Sequence, residues 1–256
     1  MKIGIVIPTY NEKNNIKKLY DTFKKHPNLD TFICFVDGSP NQDTTHEINK
    51  FFKKNYIIIP EKKKIVVTGF FTLSTRCHAS LMGFKWFLKN TKIELITDMD
   101  ADLASNPSDI TKAIEIYKKN KSDIIIASKY LPKSKVLKRN FIRIFISYIY
   151  TAGCRLVVSR KISDYSAGFR FFSRKSLNKM VKQKIRFLSP SQHLEILLFY
   201  YENKYKISEF PAYYKDTQKK STIQFSHLFI FGFQIFISLS LFKFRQLVNI
   251  FTKFKF

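Results

Sequence analysis

Acidic side chains are scarce in this chain. Its 256 residues hold 19 Asp and Glu against 45 Lys and Arg, a formal charge of +26 at pH 7. Cysteine is thinner still, with only Cys34, Cys77 and Cys154. So sparse and odd a set builds neither a disulfide framework nor a zinc site. Cys34 lies inside the apolar run FICFV and reads as a buried structural thiol, which fits a reducing, cytosolic setting. A long apolar run is missing from the N-terminus. MKIGIVIPTYNE is interrupted at Pro8, too early for a secretory signal, and reads as a strand. Internal repeats and low-complexity linkers are absent too. Apolar material is present in quantity: 45% of residues are hydrophobic, with 27 Phe and 13 Tyr. That excludes the disordered class. The length suits one large domain, or one domain with an appendage.

The charge is unevenly spread. Residues 1–128 carry 14 of the 19 acids, whereas residues 129–190 carry 16 Lys and Arg and a single acid, Asp164. Such a field attracts polyanions: nucleic acid, anionic headgroups or phosphorylated substrates. No nucleic-acid-binding motif is visible, and the cations mix with long apolar stretches instead of forming a polar stripe. Nucleic acid is therefore not the expected partner.

The first 130 residues alternate. Strand-like runs occur at 3–7, 31–36, 64–68, 93–97 and 123–127, with helix-like stretches at 12–25, 43–54, 76–90 and 108–120. Short Ile/Val-rich runs separated by helices predict an α/β fold, a mostly parallel sheet with helices on both faces. Ligands then bind beyond the carboxyl ends of the strands. There lie the loops TYNE (9–12), VDGSPNQDT (36–44) and DMDAD (98–102). Further on, 141–158 is apolar and aromatic with basic flanks. Residues 221–242 carry no formal charge, with His227 counted neutral, and are long enough to be a membrane candidate. Yet His227, Gln234, Ser238 and Arg245 fall on one helical stripe. An interfacial or protein-packed amphipathic helix and a membrane span or re-entrant hairpin both remain open.

In so basic a chain, Asp98, Asp100 and Asp102 crowd into five residues after the apolar run IELI. Two carboxylates spaced i, i+2 on a loop can meet at one hard cation such as Mg²⁺ or Mn²⁺, which also takes phosphate oxygens. The same residues also suit a solvated turn.

VIPTYNE, VDGSPNQDT, DMDADLASNP, ASKY, DYSAGFRFFSRKSL and EFPAYY occur in that order. This set resembles the family 2 glycosyltransferases of GT-A fold, and within them the dolichyl-phosphate mannose synthase and polyprenyl-phosphate glycosyltransferase branch. The resemblance spans about residues 2–222. It implies a GT-A domain over 1–222, and the apolar, amphipathic pattern beyond it reads as a membrane-associating helical segment over 223–256. It implies a nucleotide held by Pro8, Tyr10, Glu12 and Asp37, with Ser39 nearby; Asp37 also reads as a turn former before Gly38. Asp100 and Asp102 match the D-x-D motif, Asp100 toward the sugar nucleotide and Asp102 toward Mg²⁺ or Mn²⁺. Asp98 reads as a strand-end residue. Arg76 stands where the family places a basic residue at a helix start, or is a surface cation. Lys129 replaces an Arg of G-S-R-Y, keeping the charge without the bidentate geometry. Arg143 lines up with an arginine for acceptor or diphosphate. Asp164, Gly168 and Arg170 match D-x-x-S-G-F-R; Gly168 allows close backbone approach, and Arg170 is expected to pair with an acid or a phosphate.

The departures are Val36 in place of an Asp, Ala104 in place of a further metal ligand, and TQKKST in place of R-x-x-G-x-S-K. The resemblance implies an inverting transfer of a hexose from GDP-mannose or a UDP-hexose to a polyprenyl phosphate, at the cytoplasmic face of a membrane. A phosphate monoester attacks without a base. Only Asp164 and Glu195 stand as candidate bases, and no His sits in a matching motif. A sugar-hydroxyl acceptor in cell-surface polysaccharide assembly, or a non-catalytic nucleotide-sugar binder, are the alternatives.

Overall fold

The computed structural model describes residues 1–61, 75–183, 185–187, 189–216 and 225–253. Strand β1 (Ile3–Thr9) leads into α1 (Lys13–Lys24), and β2 (Thr31–Asp37) into α2 (Asp43–Phe51). Then come β3 (Tyr56–Pro60), α3 (Thr75–Asn90), β4 (Leu95–Asp98), α4 (Ser108–Asn120) and β5 (Ile124–Ser128). The rest comprises β6 (Lys135–Leu137), α5 (Phe141–Val157), β7 (Arg170–Ser173), α6 (Arg174–Met180), α7 (Gln192–Glu202), β8 (Ile207–Pro211), β9 (Tyr213–Lys215) and α8 (Phe225–Lys253).

Seven strands form one sheet in the order β3-β2-β1-β4-β7-β5-β8, parallel except for β7, which runs antiparallel to both β4 and β5. The alternation along β1 explains the layering. Ile3, Ile5 and Ile7 bury into one apolar cluster with Ile16, Leu19 and Ile110, while Val6 points into the other with Phe84, Phe87 and Leu194. Helices therefore cover both faces. Gly83 lets α3 lie close on the sheet, since a Cβ there would meet Val6 Cγ1 at 2.3 Å.

The helix-like stretches at 12–25, 43–54, 76–90 and 108–120 correspond to α1 to α4. The run at 64–68 lies outside the described residues, and the third strand is instead YIIIP, 56–60. It is a sheet edge with half-buried side chains, so the burial that marks central strands is weak there. RFFS, read only as part of a motif, is the fully buried inserted strand β7.

The polar stripe of α8 faces protein. Gln234 and Ser238 are buried, Phe242 is fully buried, and Arg245 Nε donates to Glu202 Oε1 at 2.8 Å. The His227 side chain lies outside the described residues. Among the described residues, no helix is long and apolar enough to cross a membrane. The outer faces are different. Among the described residues, all the exposed large hydrophobic side chains but Met1, Tyr10 and Leu137 sit on α5 and α8, with Phe141 78%, Leu156 72% and Phe229 72% exposed.

Candidate functional site

The carboxyl ends of β1, β3, β4 and β5 open into two adjoining pockets that share Arg76 and Asp100. The first is lined by Pro8, Thr9, Tyr10, Glu12, Glu61 and Asp102. The second, a cavity of about 200 Å³, is lined by Lys129, Arg139, Ser166, Gly168, His193 and Tyr214, among others.

The acidic loop leaves β4 with its three aspartates in three environments. Asp98 is buried at the strand end; Ser80 Oγ donates to its Oδ2 at 2.9 Å and Arg76 Nη1 stands 3.4 Å from the same atom. Burial raises its pKa, and Arg76 and Ser80 oppose that rise. Asp100 is 47% exposed at its side chain and accepts from Arg76 Nε at 2.5 Å. Asp102 Oδ1 accepts from the Ala104 amide at 3.0 Å, across Leu103, which sits in the left-handed region at φ 62°. Arg76 stands in the first turn of α3. Burial lowers its pKa, but Asp100 and Asp98 outweigh burial and the net shift is upward. Arg76 is thus a pocket cation paired with the acidic loop, not a surface charge.

Asp100 and Asp102 fit a divalent cation. Both are oxygen donors on one loop, and both line the first pocket. Among the described residues, no three His, Cys, Asp or Glu side chains cluster as a closed metal cage. Two carboxylates completed by substrate phosphates are the arrangement a hard cation such as Mg²⁺ accepts.

Asp37 is engaged within its own loop, in line with its reading as a turn former. Its Oδ1 accepts from Thr9 Oγ1 at 3.0 Å and Ser39 Oγ at 2.6 Å, and its Oδ2 from Thr45 Oγ1 at 3.0 Å. Ser39 Oγ in turn accepts from the Asn11 amide at 2.8 Å. Asp37 and Ser39 are loop formers that shape the wall carrying Pro8, Tyr10 and Glu12.

The opposite wall is the loop between α5 and β7. Asp164 is fully buried, and its oxygens accept from Lys129 Nζ (2.9 Å), the Lys129 amide (2.8 Å) and both the amide and Oγ of Ser166 (2.8 Å each). Burial raises its pKa, but Lys129 and the hydrogen bonds outweigh burial and leave it below 3.8. A carboxylate so saturated is a positioning group, not a base. Glu209 braces the same loop: its carboxylate accepts from Ser163 N at 2.8 Å, Ser163 Oγ at 2.9 Å and Asp164 N at 3.1 Å. A hydroxyl chain ties it to α5, since Tyr130 OH donates to Ser147 Oγ at 2.7 Å and Ser147 Oγ to Ser166 Oγ at 2.8 Å.

Arg170 reaches neither an acid nor the pocket. Its guanidinium is buried and donates to the carbonyls of His193 (2.5 Å) and Tyr165 (3.0 Å). It is a strap under the pocket floor. Glu195 accepts from the amides of Arg186 (2.7 Å) and Phe187 (3.2 Å) and lines a separate depression beside α8, so it is no base for this site. Arg143 lies in the first turn of α5, and its side chain is outside the described residues, as is the TQKKST segment from Thr217 onward.

The pocket therefore gathers Arg76, Asp100, Lys129 and Gly168, with Pro8, Tyr10, Glu12 and Asp102 next door. Arg139 and His193 were missed. Arg139 was submerged in a general basic stretch. His193 belongs to no motif, and its only local signal was the helix start in SPSQH. Burial, together with Arg170, Arg76 and Lys129, depresses its pKa well below 6.5, so the imidazole is neutral.

The model of the family described as Glycosyl transferase family 2 matches residues 4–181. A dolichol-phosphate mannosyltransferase of Pyrococcus furiosus is 34% identical over 172 residues, covering 66% of this chain and 45% of that protein. A polyprenol monophosphomannose synthase of Mycolicibacterium smegmatis is 25% identical, covering 69% of this chain and 63% of its own length. This chain thus matches less than two thirds of either relative. Among solved structures, glucosyl-3-phosphoglycerate synthase of Mycobacterium tuberculosis, in complex with Mn²⁺, UDP-glucose and phosphoglyceric acid, superposes with a TM-score of 0.63. That match has 11% identity and covers 94% of this chain and 79% of the other. At such identity the likeness establishes the GT-A fold alone.

Proposed function

The chain belongs to glycosyl transferase family 2, and from that premise we propose that it moves a hexose from a nucleotide diphosphate sugar to a polyprenyl phosphate at a membrane surface, with inversion at the anomeric carbon. One observation carries the choice of acceptor. The exposed apolar face of α5 begins at Phe141, two residues after Arg139, a cation on the pocket wall. A lipid lying along that face brings its phosphate to the pocket mouth. Exposed apolar patches of this kind mark membrane or partner contacts, and the basic stretch around them suits anionic headgroups. The cytoplasmic face is where nucleotide sugars would meet such a surface.

In this reading the nucleotide lies against Pro8, Tyr10 and Glu12, and the sugar enters the cavity beyond Arg76 and Asp100. Asp100 and Asp102 would hold Mg²⁺ or Mn²⁺, and such a cation would supply charge neutralisation for the leaving diphosphate. Arg76 adds a fixed cation beside that diphosphate, and an interaction that strengthens as charge develops lowers the barrier. Lys129, held by Asp164, and Arg139 receive the acceptor phosphate. A phosphate monoester is already mostly a dianion at neutral pH, so its oxygen attacks the anomeric carbon with no proton to remove. A hydroxyl acceptor would need a general base. In the pocket Asp98 is held by Ser80 and Arg76, Asp100 is paired with Arg76, and His193 is a neutral imidazole of depressed pKa, weak in that role.

The test is transfer of radiolabelled sugar from UDP-glucose, UDP-GlcNAc or GDP-mannose to undecaprenyl or dolichyl phosphate in detergent, with Mn²⁺ or EDTA. Metal-dependent lipid product, lost in Asp102→Ala, is expected. Metal-stimulated nucleotide release without lipid product would replace the lipid with a hydroxyl acceptor. No turnover with any donor would leave a nucleotide-sugar binder.

A further inference from the structure

We propose that His193 recognises a hydroxyl of the transferred hexose through Nε2, across a gap that Gly168 keeps open. The inference rests on the transferase reading above and adds the residue that reads the sugar. Three observations lead to it.

The first is position. Arg76 and Asp100 form the boundary between the two pockets, so the diphosphate belongs there and the sugar beyond it. His193 stands in that further cavity, at the start of α7. The second is anchoring. The His193 carbonyl is held by Arg170, and the turn before it is pinned when Ser189 Oγ donates to Gln234 Oε1 of α8 at 2.6 Å. The backbone is thus fixed from two sides. The ring nitrogens have no hydrogen-bond partner among the described residues. A polar side chain held at a pocket wall with its hydrogen-bonding capacity unspent is arranged for a ligand.

The third is the space in front of it. A Cβ placed on Gly168 would lie 3.6 Å from His193 Nε2 and 3.8 Å from Cε1. That is ordinary contact, so a side chain there would fit, but it would cover the nitrogen. The missing side chain leaves Nε2 facing the cavity. The partner class follows from charge. Burial disfavours protonation of the ring, and the charges of Arg170, Arg76 and Lys129 add to that. A neutral imidazole donates to or accepts from a hydroxyl, whereas the phosphates already have Arg76, Arg139 and Lys129.

The experiment is calorimetric binding of UDP, GDP, UDP-glucose, UDP-GlcNAc and GDP-mannose, each with Mn²⁺, to wild type, His193→Ala, His193→Gln and Gly168→Ala. The readout is the affinity of a sugar nucleotide relative to its bare nucleotide diphosphate. In His193→Ala that ratio is expected to fall about tenfold, the scale of one hydrogen bond between neutral groups, with bare nucleotide binding unchanged. His193→Gln, whose amide reaches the place of Nε2, restores most of it. Gly168→Ala, which leaves the imidazole in place and covers it, reproduces the loss, and it adds nothing on top of His193→Ala. An unchanged ratio in His193→Ala, or an equal loss for the bare nucleotide, overturns the assignment and leaves the transferase reading standing. Failure of the wild type to bind any nucleotide sugar overturns both.

Discussion

The two walls of the pocket each set an aspartate beside a cation, and they use it in opposite ways. On the β4 side, Asp100 is half exposed and, among the described residues, pairs with Arg76 alone. On the α5 side, Asp164 is fully buried and accepts from Lys129 and Ser166 through every available direction. A half-exposed ion pair is weak and can exchange partners, so Asp100 can turn to a metal or a donor. A buried, saturated carboxylate cannot be spared without leaving its partner's charge stranded. One wall is arranged for exchange, the other for position.

The largest test of that contrast is stability. Asp164→Ala should destabilise by about 3–5 kcal/mol, as loss of one partner of a buried pair does, lowering the melting temperature by roughly 6–20 °C. Asp100→Ala should change stability by about 1 kcal/mol or less. Equal shifts in a thermal melt would erase the distinction. Next in size is Asp102→Ala: Mn²⁺-dependent transfer should fall about 100-fold, as when one contact to developing charge is lost, while the metal-free melt stays in place. Smaller again is the lipid side of the second wall. Phe145→Ser with Ile149→Ser should weaken flotation with anionic vesicles about tenfold, since each buried apolar side chain contributes ~1.5–3 kcal/mol and membrane insertion is partial. Unaltered flotation would remove α5 from the membrane contact.

The smallest effect is in acid. The folded Asp164 pKa lies below its ordinary value, so its contribution is present above about pH 3.8 and is lost as pH falls through the folded value. Denaturant melts between pH 5 and 2 should show wild type losing stability in that range and Asp164→Asn losing less. Parallel curves would mean the carboxylate is not held as described.

Much of this molecule was legible in its order of residues. Four helices, four of the strands and the placing of the acidic loop followed from apolar spacing, which burial on a sheet face imposes directly. The edge strand β3 did not, because a strand paired on one side carries a weak pattern. β7 did not, because a four-residue insertion is specified by its neighbours β4 and β5. Within the site, Asp100, Asp102, Arg76 and Lys129 were readable as motif positions. The roles of Asp164 and Arg170 were not, since a motif names a side chain but not the atoms that consume its hydrogen bonds.

The sequence by itself determined the α/β architecture, the acidic loop at a strand end and the family. Periodicity and local turn chemistry act over neighbouring residues, and those are written in order along the chain. The tertiary structure alone decided which carboxylates are free to exchange and which are locked. It also brought His193 to face Gly168, and set the polar stripe of α8 on α7 while its aromatic face and that of α5 point outward. Those outcomes depend on burial and on partners many tens of residues away, and only the packed fold sets the distances between them.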